Sequence, residues 1–315
     1  MLENCNNLDE VVTIESKSAG TGGSRLGLNK DDRITVNDLL FGLLMRSGND
    51  AAVALAIHVG GSIEEFSNLM NKKAQELELR NTHFVTPHGL DDPNHYTTAF
   101  ELAQLTNYAL KNEKFVTMVK TKYAVINING TQKQLKNTNE ILCADYEGVY
   151  GVKTGFTNNA GRCLVTAVKR DNIDLIVVVL GADTRKDRAS DTIKLIDYAY
   201  QNFKIEKIEE LVKEEFENWK KINQERIYIY KASSKLETEI EEIPIKEIVT
   251  NQRINIVINT INYLKAPVEK NTQIGMVIVK NGENIIEQIE IKSTKKITKM
   301  NIIDYAKLFA KTICI

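Results

Sequence analysis

VYGVKTGFTNNA, residues 149–160, alternates in the manner of a half-buried β-strand and carries a lysine near its centre. Lys153, Thr154 and Gly155 place an ammonium, a hydroxyl and a residue without a side chain in succession. The ammonium and the hydroxyl suit a carboxylate, and the glycine lets an extended peptide lie close to the strand edge. Since a solvated edge lysine that discourages aggregation has the same pattern, the triplet alone leaves both interpretations open.

A second polar triplet, Ser47-Gly48-Asn49, separates two apolar helical stripes. Thr35 and Asp38 form a capping box before the first stripe, and Asp50 is predicted to open the second helix. Polar side chains on a tight link between buried helices need partners. The Ser47 hydroxyl is suited to relaying a proton and the Asn49 amide to holding a peptide backbone, whereas the alternative for both is an ordinary helix cap.

The composition shows no global bias toward polyanions. The chain has 315 residues, with 41 Lys plus Arg against 42 Asp plus Glu, so any basic character is local and no nucleic-acid partner is expected. The length accommodates one large domain and a smaller one, each with its own core.

The cysteines predict neither a disulfide framework nor a metal site, because their spacing fits neither, and buried free thiols are expected. They are Cys5, Cys143, Cys163 and Cys314. The first residues lack a basic segment followed by an apolar run, and no apolar stretch is long enough to cross a bilayer. We therefore expect no signal peptide within this sequence.

Two other segments have a functional and a structural interpretation. The glycine-rich residues 19–25 lack the lysine of a phosphate-binding loop, which favours a structural loop over a nucleotide site. The irregular segment 79–99 contains residues that bind metals elsewhere, namely His83, His88, Asp91, Asp92 and His95. Their spacing is not a metal signature, so we expect turn-forming and capping roles, and no metal or other cofactor.

Four blocks, in the same order along the chain, resemble a known family. They lie at residues 20–28, 44–52, 81–99 and 151–164, and include Ser47-Gly48-Asn49 and Lys153-Thr154-Gly155. They are similar to the low-molecular-weight penicillin-binding proteins, the serine-type D-alanyl-D-alanine carboxypeptidases of the DacA/DacF type. The two triplets match two of the three motifs that these proteins share with the serine β-lactamases.

The resemblance implies an α/β (α+β) fold, in which a penicillin-binding protein/serine β-lactamase-like domain has an antiparallel sheet flanked by helices. We expect this domain over residues 1–203, with its N-terminal part missing. Strand patterns at 164–168 and 175–181 and a helical pattern at 187–203 agree with it. A small all-β domain is expected over 204–291, with a spacing or contact role, followed by a C-terminal amphipathic helix within 292–315.

The implied reaction trims the terminal D-alanine of peptidoglycan stem peptides through an acyl-enzyme. Among the catalytic residues, Ser47 would pass a proton to the leaving amine and Asn49 would hold the peptide backbone. The terminal carboxylate would bind to Lys153 and Thr154. The implied partners are stem peptides ending in D-Ala-D-Ala and, if the full-length motif is restored, β-lactams.

The third family motif, Ser-x-x-Lys, supplies the nucleophile and its activating lysine, and it is expected before the position at which this sequence starts. One half of the oxyanion hole, the nucleophile's own N–H, would be missing with it, while the other half is the N–H of Phe156, which follows Gly155 in the substrate-binding strand. The one literal match, Ser293 to Lys296, lies in a lysine-rich stretch and is rejected as the nucleophile. We therefore expect this chain to show neither turnover nor acylation by penicillin.

Three interpretations follow from the missing motif. The preferred one is a carboxypeptidase whose sequence is truncated or begins too late. The second is a noncatalytic peptidoglycan-binding or scaffold protein. A serine β-lactamase is disfavoured because no deacylating glutamate loop is evident and because a β domain and a tail follow the first domain.

The tail has the pattern of an amphipathic helix at a membrane surface. One face carries Ile302, Ile303, Ala306, Phe309, Ala310 and Ile313, and the opposite face carries Asp304, Lys307 and Lys311. Lys292, Lys295, Lys296 and Lys299 precede it. The alternative is a helix docked on its own β domain, whereas the resemblance implies an extracytoplasmic, membrane-associated protein.

Overall fold

The computed structural model describes residues 1–5 and 7–313, which divide into two compact units, Met1–Gln201 and Asn202–Ile315. Both combine helices with antiparallel strands, and the predicted α/β (α+β) class with an antiparallel sheet and flanking helices is confirmed. Cys314, named above among the thiols, and the last residue of the predicted tail, Ile315, lie outside the described residues.

The first unit opens with two short strands and is then mainly helical up to its central sheet. Its helices are α1 (Ser16–Ala19), α2 (Val36–Arg46), α3 (Asn49–Gly60), α4 (Ile63–Glu76), α5 (Ala99–Ala109), α6 (Glu113–Val119), α7 (Glu140–Cys143) and α8 (Arg185–Asn202). Its strands are β1 (Val11–Thr13), β2 (Arg33–Thr35), β3 (Tyr123–Ile128), β4 (Thr131–Lys136), β5 (Val149–Thr157), β6 (Gly161–Arg170) and β7 (Ile173–Ala182).

Helix α2 begins where its capping signal predicts. The Thr35 hydroxyl accepts a hydrogen bond from the backbone N–H of Asp38 at the start of α2, and Ser62 caps α4 in the same way. Leu39, Leu40 and Met45 of α2 and residues 49–56 of α3 are buried, so these two helices form the centre of the main core. The link between them is therefore fixed from both sides.

The central sheet of the first unit has the order β5-β6-β7, and all of its pairs are antiparallel. Lys153 on β5 lies opposite Val165 on β6, and a turn at Asp171 and Asn172 connects β6 to β7. Val168 and Val177 pack against Ile196 of α8, which covers one face of the sheet. Because β5 is an edge strand, its outer side faces away from β6 and is open to an added peptide strand.

The second unit is built on a four-stranded antiparallel sheet of order β10-β15-β14-β12. Its elements are β8 (Lys204–Glu206), α9 (Ile208–Asn223), a 3₁₀ turn (Gln224–Arg226), β9 (Tyr228–Tyr230), β10 (Thr238–Ile240), β11 (Ile248–Thr250), β12 (Ile254–Thr260), β13 (Tyr263–Lys265), β14 (Gln273–Asn281), β15 (Asn284–Ser293) and α10 (Ile302–Ile313). Val212 and Phe216 of α9 are buried in one core with Val277 and Ile289 of the sheet. Most of the Glu- and Lys-rich stretch 204–225 therefore belongs to an amphipathic helix, and its charged side chains form the solvent face of α9.

Two expectations about individual side chains need correction. Cys5 is buried, but Cys143 and Cys163 are only half-buried. The lysines at the start of the basic amphipathic helix expected within 292–315 are not part of that helix, since α10 begins at Ile302, and most of them form ion pairs with glutamates. These pairs are Lys292 with Glu241 and Glu290, Lys295 with Glu237, and Lys296 with Glu269.

Across the described part of the chain, every helix is too short or too polar to span a bilayer. α10 nevertheless leaves large apolar side chains in water, with Ile302 85%, Ile303 61% and Phe309 70% exposed.

Candidate active site

Both polar triplets line one cleft of about 1310 Å³ in the first unit. Ser47 and Asn49 approach it from the link between α2 and α3, and β5 forms the opposite wall with Lys153 to Thr157. The cleft is rich in cations, since Arg46, Lys136, Arg162, Arg185, Lys186 and Arg188 line it as well.

The centre of the cleft is a direct contact between the two triplets. The Lys153 ammonium donates hydrogen bonds to the Ser47 hydroxyl and to the carbonyl of Thr154, both at 2.8 Å. Ser47 ends α2 in the left-handed conformation, with φ 55° and ψ 41°, which turns the chain at this point. The sequence separation of these side chains is 106 residues, so only the fold brings them together.

Lys153 is unusual because its bonded partners carry no negative charge. In the described part of the chain no carboxylate forms an ion pair with it, whereas the positive Arg188 lies close enough to repel it. Loss of hydration, and secondarily that repulsion, lower the pKa of Lys153 to about 8. The ammonium is therefore poised to gain from an anionic ligand and to lose its proton near neutral to mildly alkaline pH.

Thr154 is positioned by Thr138, which is bonded to the last turn of α2. Its hydroxyl lies 2.8 Å from the hydroxyl of Thr138, whose backbone N–H donates to the carbonyl of Met45. Gly155 beside it is exposed, and an added Cβ there would meet only the Cβ of Cys163, at 3.6 Å. This part of β5 therefore presents a hydroxyl next to a stretch of unobstructed backbone.

Asn49 begins α3 and fixes the glycine-rich loop to it. Its side-chain amide donates to the carbonyl of Gly22 at 2.7 Å, and its backbone N–H donates to the carbonyl of Ser24 at 2.8 Å. Gly23 between them has φ +80°, and a Cβ at this position would lie 2.5 Å from the Asn49 amide nitrogen. The loop is thus a structural rim of the cleft, held close to Asn49 because glycine stands at the contact.

The neighbouring Asp50 anchors the same loop from below. It is fully buried, and its carboxylate accepts hydrogen bonds from the backbone N–H groups of Leu26, Gly27 and Leu28 at 2.8 to 3.0 Å. A buried carboxylate that satisfies several backbone donors holds a loop rigidly. The helix opening predicted at Asp50 starts one residue earlier, at Asn49.

The outer end of the β5 wall carries an aromatic ring under a cation. Phe156 is 51% exposed, and the guanidinium carbon of Arg162 lies 3.6 Å from the centre of its ring. The backbone N–H of Phe156 was the predicted half of the oxyanion hole, and the strand carries it to the rim of the cleft.

The histidine segment has structural hydrogen bonds of its own. Nδ1 of His95 accepts from the backbone of Val85 and Thr86, and Nδ1 of His88 accepts from Leu90. Nδ1 of His83 lies 2.6 Å from the carbonyl of Asn94. These contacts match turn-forming roles. Of the five candidate metal ligands in this segment, His88 and Asp91 line the cleft.

Arg188 is a cleft residue that the sequence did not reveal. It is 4% exposed on α8, and its guanidinium donates to both carboxylate oxygens of Glu140, at 2.5 and 2.7 Å, and to the carbonyl of Cys163. Its Nε is buried without a partner among the described residues. The only signal was an arginine at the start of a predicted amphipathic helix, which ordinarily indicates a surface charge.

The rejected Ser-x-x-Lys match has a structural role. Ser293 is fully buried in the second unit, where its hydroxyl donates to the carbonyl of Glu269, and Lys296 forms an exposed ion pair with the same residue. The residues lining the cleft all belong to the first unit.

The fold and this cleft together define the penicillin-binding protein class of serine peptidases. Penicillin-binding protein 5 of Haemophilus influenzae superposes with a TM-score of 0.64 at 26% identity, over 93% of this chain and 84% of that protein. A family model described as D-alanyl-D-alanine carboxypeptidase matches residues 4–184.

Curated relatives agree with that model. D-alanyl-D-alanine carboxypeptidase DacF of Bacillus subtilis is 32% identical over 306 residues, which is 95% of this chain and 75% of the relative. D-alanyl-D-alanine carboxypeptidase DacD of Escherichia coli is 36% identical over 227 residues, which is 70% of this chain and 56% of the relative. The chain belongs to the D-alanyl-D-alanine carboxypeptidase family.

Proposed function

We propose that the cleft binds the D-alanyl-D-alanine end of peptidoglycan stem peptides, and that Lys153 and Thr154 hold the terminal carboxylate. The observation that carries this proposal is the Lys153 ammonium, which bonds only neutral oxygens in a cleft lined by arginines and lysines. A peptide carboxylate supplies the missing negative charge and accepts a charge-assisted hydrogen bond from it.

The peptide backbone would lie along the open edge of β5. Strand addition to an exposed edge satisfies the backbone groups of both partners, and Gly155 leaves room for it. Asn49 would bind the peptide from the opposite wall through its amide, which has both a donor and an acceptor.

For an active site of this family, the proposed reaction is transfer of the peptide's acyl group from the D-Ala-D-Ala bond to a serine, with release of D-alanine, followed by hydrolysis of the acyl-enzyme. Ser47 would relay a proton to the leaving amine, since its hydroxyl already accepts from Lys153. The N–H of Phe156 would donate to the oxyanion.

We propose that this chain of 315 residues binds such peptides without hydrolysing them. The nucleophile and its lysine would come from a Ser-x-x-Lys motif, and the single match in this sequence, at Ser293, is buried in the second unit. The contact of Ser47 with a lysine of lowered pKa raises a second possibility, in which Ser47 itself is acylated.

Two measurements on the purified chain test these proposals. Isothermal titration should show binding of an N-acyl-D-Ala-D-Ala peptide and at least about 10-fold weaker binding of the L,L isomer. Only the D,D stereochemistry is expected to let the carboxylate reach Lys153 while the peptide backbone contacts Asn49. Absence of D,D binding would contradict the proposed site. Labelling with a fluorescent penicillin should fail, whereas a label that disappears in Ser47→Ala would show that Ser47 is the nucleophile.

We also propose that α10 places the protein at a membrane surface outside the cytoplasm, with the second unit as a spacer. Ile302, Ile303 and Phe309 supply an exposed apolar face. Since Lys292, Lys295 and Lys296 are already paired, attachment should depend on this face more than on anionic lipid.

Co-sedimentation with vesicles tests this attachment. Zwitterionic vesicles should retain most of the binding seen with anionic ones, and Phe309→Asp should reduce both. Equal sedimentation of the parent chain and Phe309→Asp would contradict the proposal.

A further inference from the structure

A second group of reactive side chains lies outside the cleft, beside the C-terminal end of α3. The thiol of Cys5, a carboxylate oxygen of Glu10 and a ring nitrogen of His58 all lie within 4.8 Å of one another. They come from three places in the first unit: the N-terminal turn, the segment before β1 and the last turn of α3. Neither the proposed peptide binding nor the acyl-transfer chemistry uses any of them.

We propose that Cys5, Glu10 and His58 form a binding site for a thiophilic divalent metal ion, with Zn²⁺ as the best fit. A thiolate, an imidazole and a carboxylate are the ligands that zinc takes in proteins, whereas Mg²⁺ and Ca²⁺ prefer oxygen ligands.

The spacing of the three atoms suits such an ion. Bond lengths of about 2.0 to 2.3 Å in a tetrahedral site put neighbouring ligand atoms roughly 3.5 Å apart. Nε2 of His58 and Oε2 of Glu10 are 3.6 Å apart, which is too long for a good hydrogen bond but suits two ligands of one ion. The Cys5 sulfur lies within 4.8 Å of both atoms, and a rotation of its side chain toward them would complete the set.

The surroundings also favour a cation at this position. His58 lies in the last turn of the 12-residue helix α3, where the partial negative charge of the helix end stabilises positive charge. Cys5 is 9% exposed within the main core, while the Glu10 side chain is 52% exposed. The site is therefore closed on one side and open on the other, which leaves a fourth position for water.

The backbone holds the ligands in place before any ion binds. The carbonyl of Glu10 accepts from Val36, and the carbonyl of Leu8 accepts from Asn37, so the segment before β1 is fixed to the start of α2. The thiol of Cys5 donates to the carbonyl of Asn7, at 3.4 Å. A bound ion would join the N-terminal turn to α3 and so stabilise this part of the first unit.

The test is a zinc titration of the full chain against a chromophoric chelator. We expect one zinc per chain and a rise in the melting temperature with zinc. Cys5→Ser and His58→Gln should each lower the zinc affinity at least about 100-fold, since loss of a metal ligand costs more than loss of a residue that only hydrogen-bonds a ligand. The exposed Glu10→Gln leaves the core intact and keeps a neutral amide oxygen that coordinates zinc less strongly than a carboxylate, so it should weaken zinc binding less, by about 10-fold.

Matched controls are Cys163→Ser and His83→Gln, which remove a thiol and an imidazole elsewhere in the first unit and should bind zinc as the parent does. Cobalt gives an independent readout, because a thiolate ligand produces a sulfur-to-cobalt charge-transfer absorption that Cys5→Ser should abolish and Cys163→Ser should retain. The proposal would be overturned if the parent chain bound no stoichiometric zinc. It would also be overturned if the single variants Glu10→Gln and Cys5→Ser both bound zinc as tightly as the parent.

Discussion

Two lysines, one in each unit, are held in opposite ways. In the cleft of the first unit, Lys153 bonds a hydroxyl and a carbonyl, and the pKa of Lys153 falls to about 8 because the ammonium has lost hydration. In the second unit, Lys292 pairs with Glu241 and Glu290, which raise the pKa of Lys292. A lysine that is kept from water without a counter-charge is destabilising by itself, so its presence favours a ligand-binding role over a structural one.

The largest expected effect concerns the buried carboxylate that supports the cleft. Asp50→Ala leaves three backbone N–H groups, two of them buried, without an acceptor and should lower the free energy of unfolding by roughly 3 to 5 kcal/mol. Chemical denaturation measures it. The control Asp191→Ala removes an exposed carboxylate paired with Lys194 and should change stability by less than about 0.5 kcal/mol. If both variants lost a similar amount of unfolding free energy, the buried Asp50 carboxylate would contribute no more to stability than the exposed Asp191 carboxylate.

The second prediction concerns the pH dependence of peptide binding. Lys153 is charged below its pKa of about 8 and neutral above it, while the peptide carboxylate stays ionised throughout this range. Affinity for the carboxylate should therefore be full below about pH 8 and fall as the pH rises, by up to about 10-fold per unit. Titrations from pH 6.5 to 10 should show this decline in the parent and a flat profile in Lys153→Met. A flat profile in the parent would contradict the role of the ammonium.

The third prediction compares adjacent glycines of the cleft rim. Gly23→Ala places a Cβ 2.5 Å from the Asn49 amide in a backbone with φ +80°, whereas Gly22→Ala meets nothing within 4 Å. We expect Gly23→Ala to weaken peptide binding roughly 5-fold by displacing that amide, and Gly22→Ala to leave affinity unchanged. Equal affinities of the two variants would show that Asn49 does not contact the peptide.

The smallest effect is expected for a surface ion pair of the second unit. Lys295 and Glu237 are both well exposed, so Lys295→Ala should change the free energy of unfolding by less than about 0.5 kcal/mol and leave peptide affinity unaltered. A larger loss of unfolding free energy in chemical denaturation would mean that surface ion pairs contribute substantially to the stability of the second unit.

Local signals in the sequence predicted much of this architecture. The capping box at Thr35 marks a real helix start, and the alternation around Lys153 marks a real strand. The pairing of Ser47 with Lys153 followed from two motifs that a known family places together, because no local pattern relates residues 106 positions apart.

The contacts that the sequence did not predict depend on tertiary structure. Arg188 reaches Glu140 only because α8 returns over the sheet, and Asp50 satisfies a loop more than twenty residues upstream. Likewise, the lysines before α10 resemble a free basic cluster until the loops carrying Glu237, Glu241 and Glu269 fold beside them. Such pairings depend on where distant elements pack, which neither periodicity nor capping signals determine.

The most direct test of the central claim compares two peptides and two proteins. N-acyl-D-Ala-D-Ala and its C-terminal amide differ only in the charge that Lys153 is proposed to bind. The parent chain should prefer the acid by about 10- to 100-fold, as expected for a hydrogen bond between charged groups, and Lys153→Met should lose that preference. If Lys153→Met discriminates between acid and amide as well as the parent does, Lys153 does not recognise the carboxylate and the proposed site is wrong.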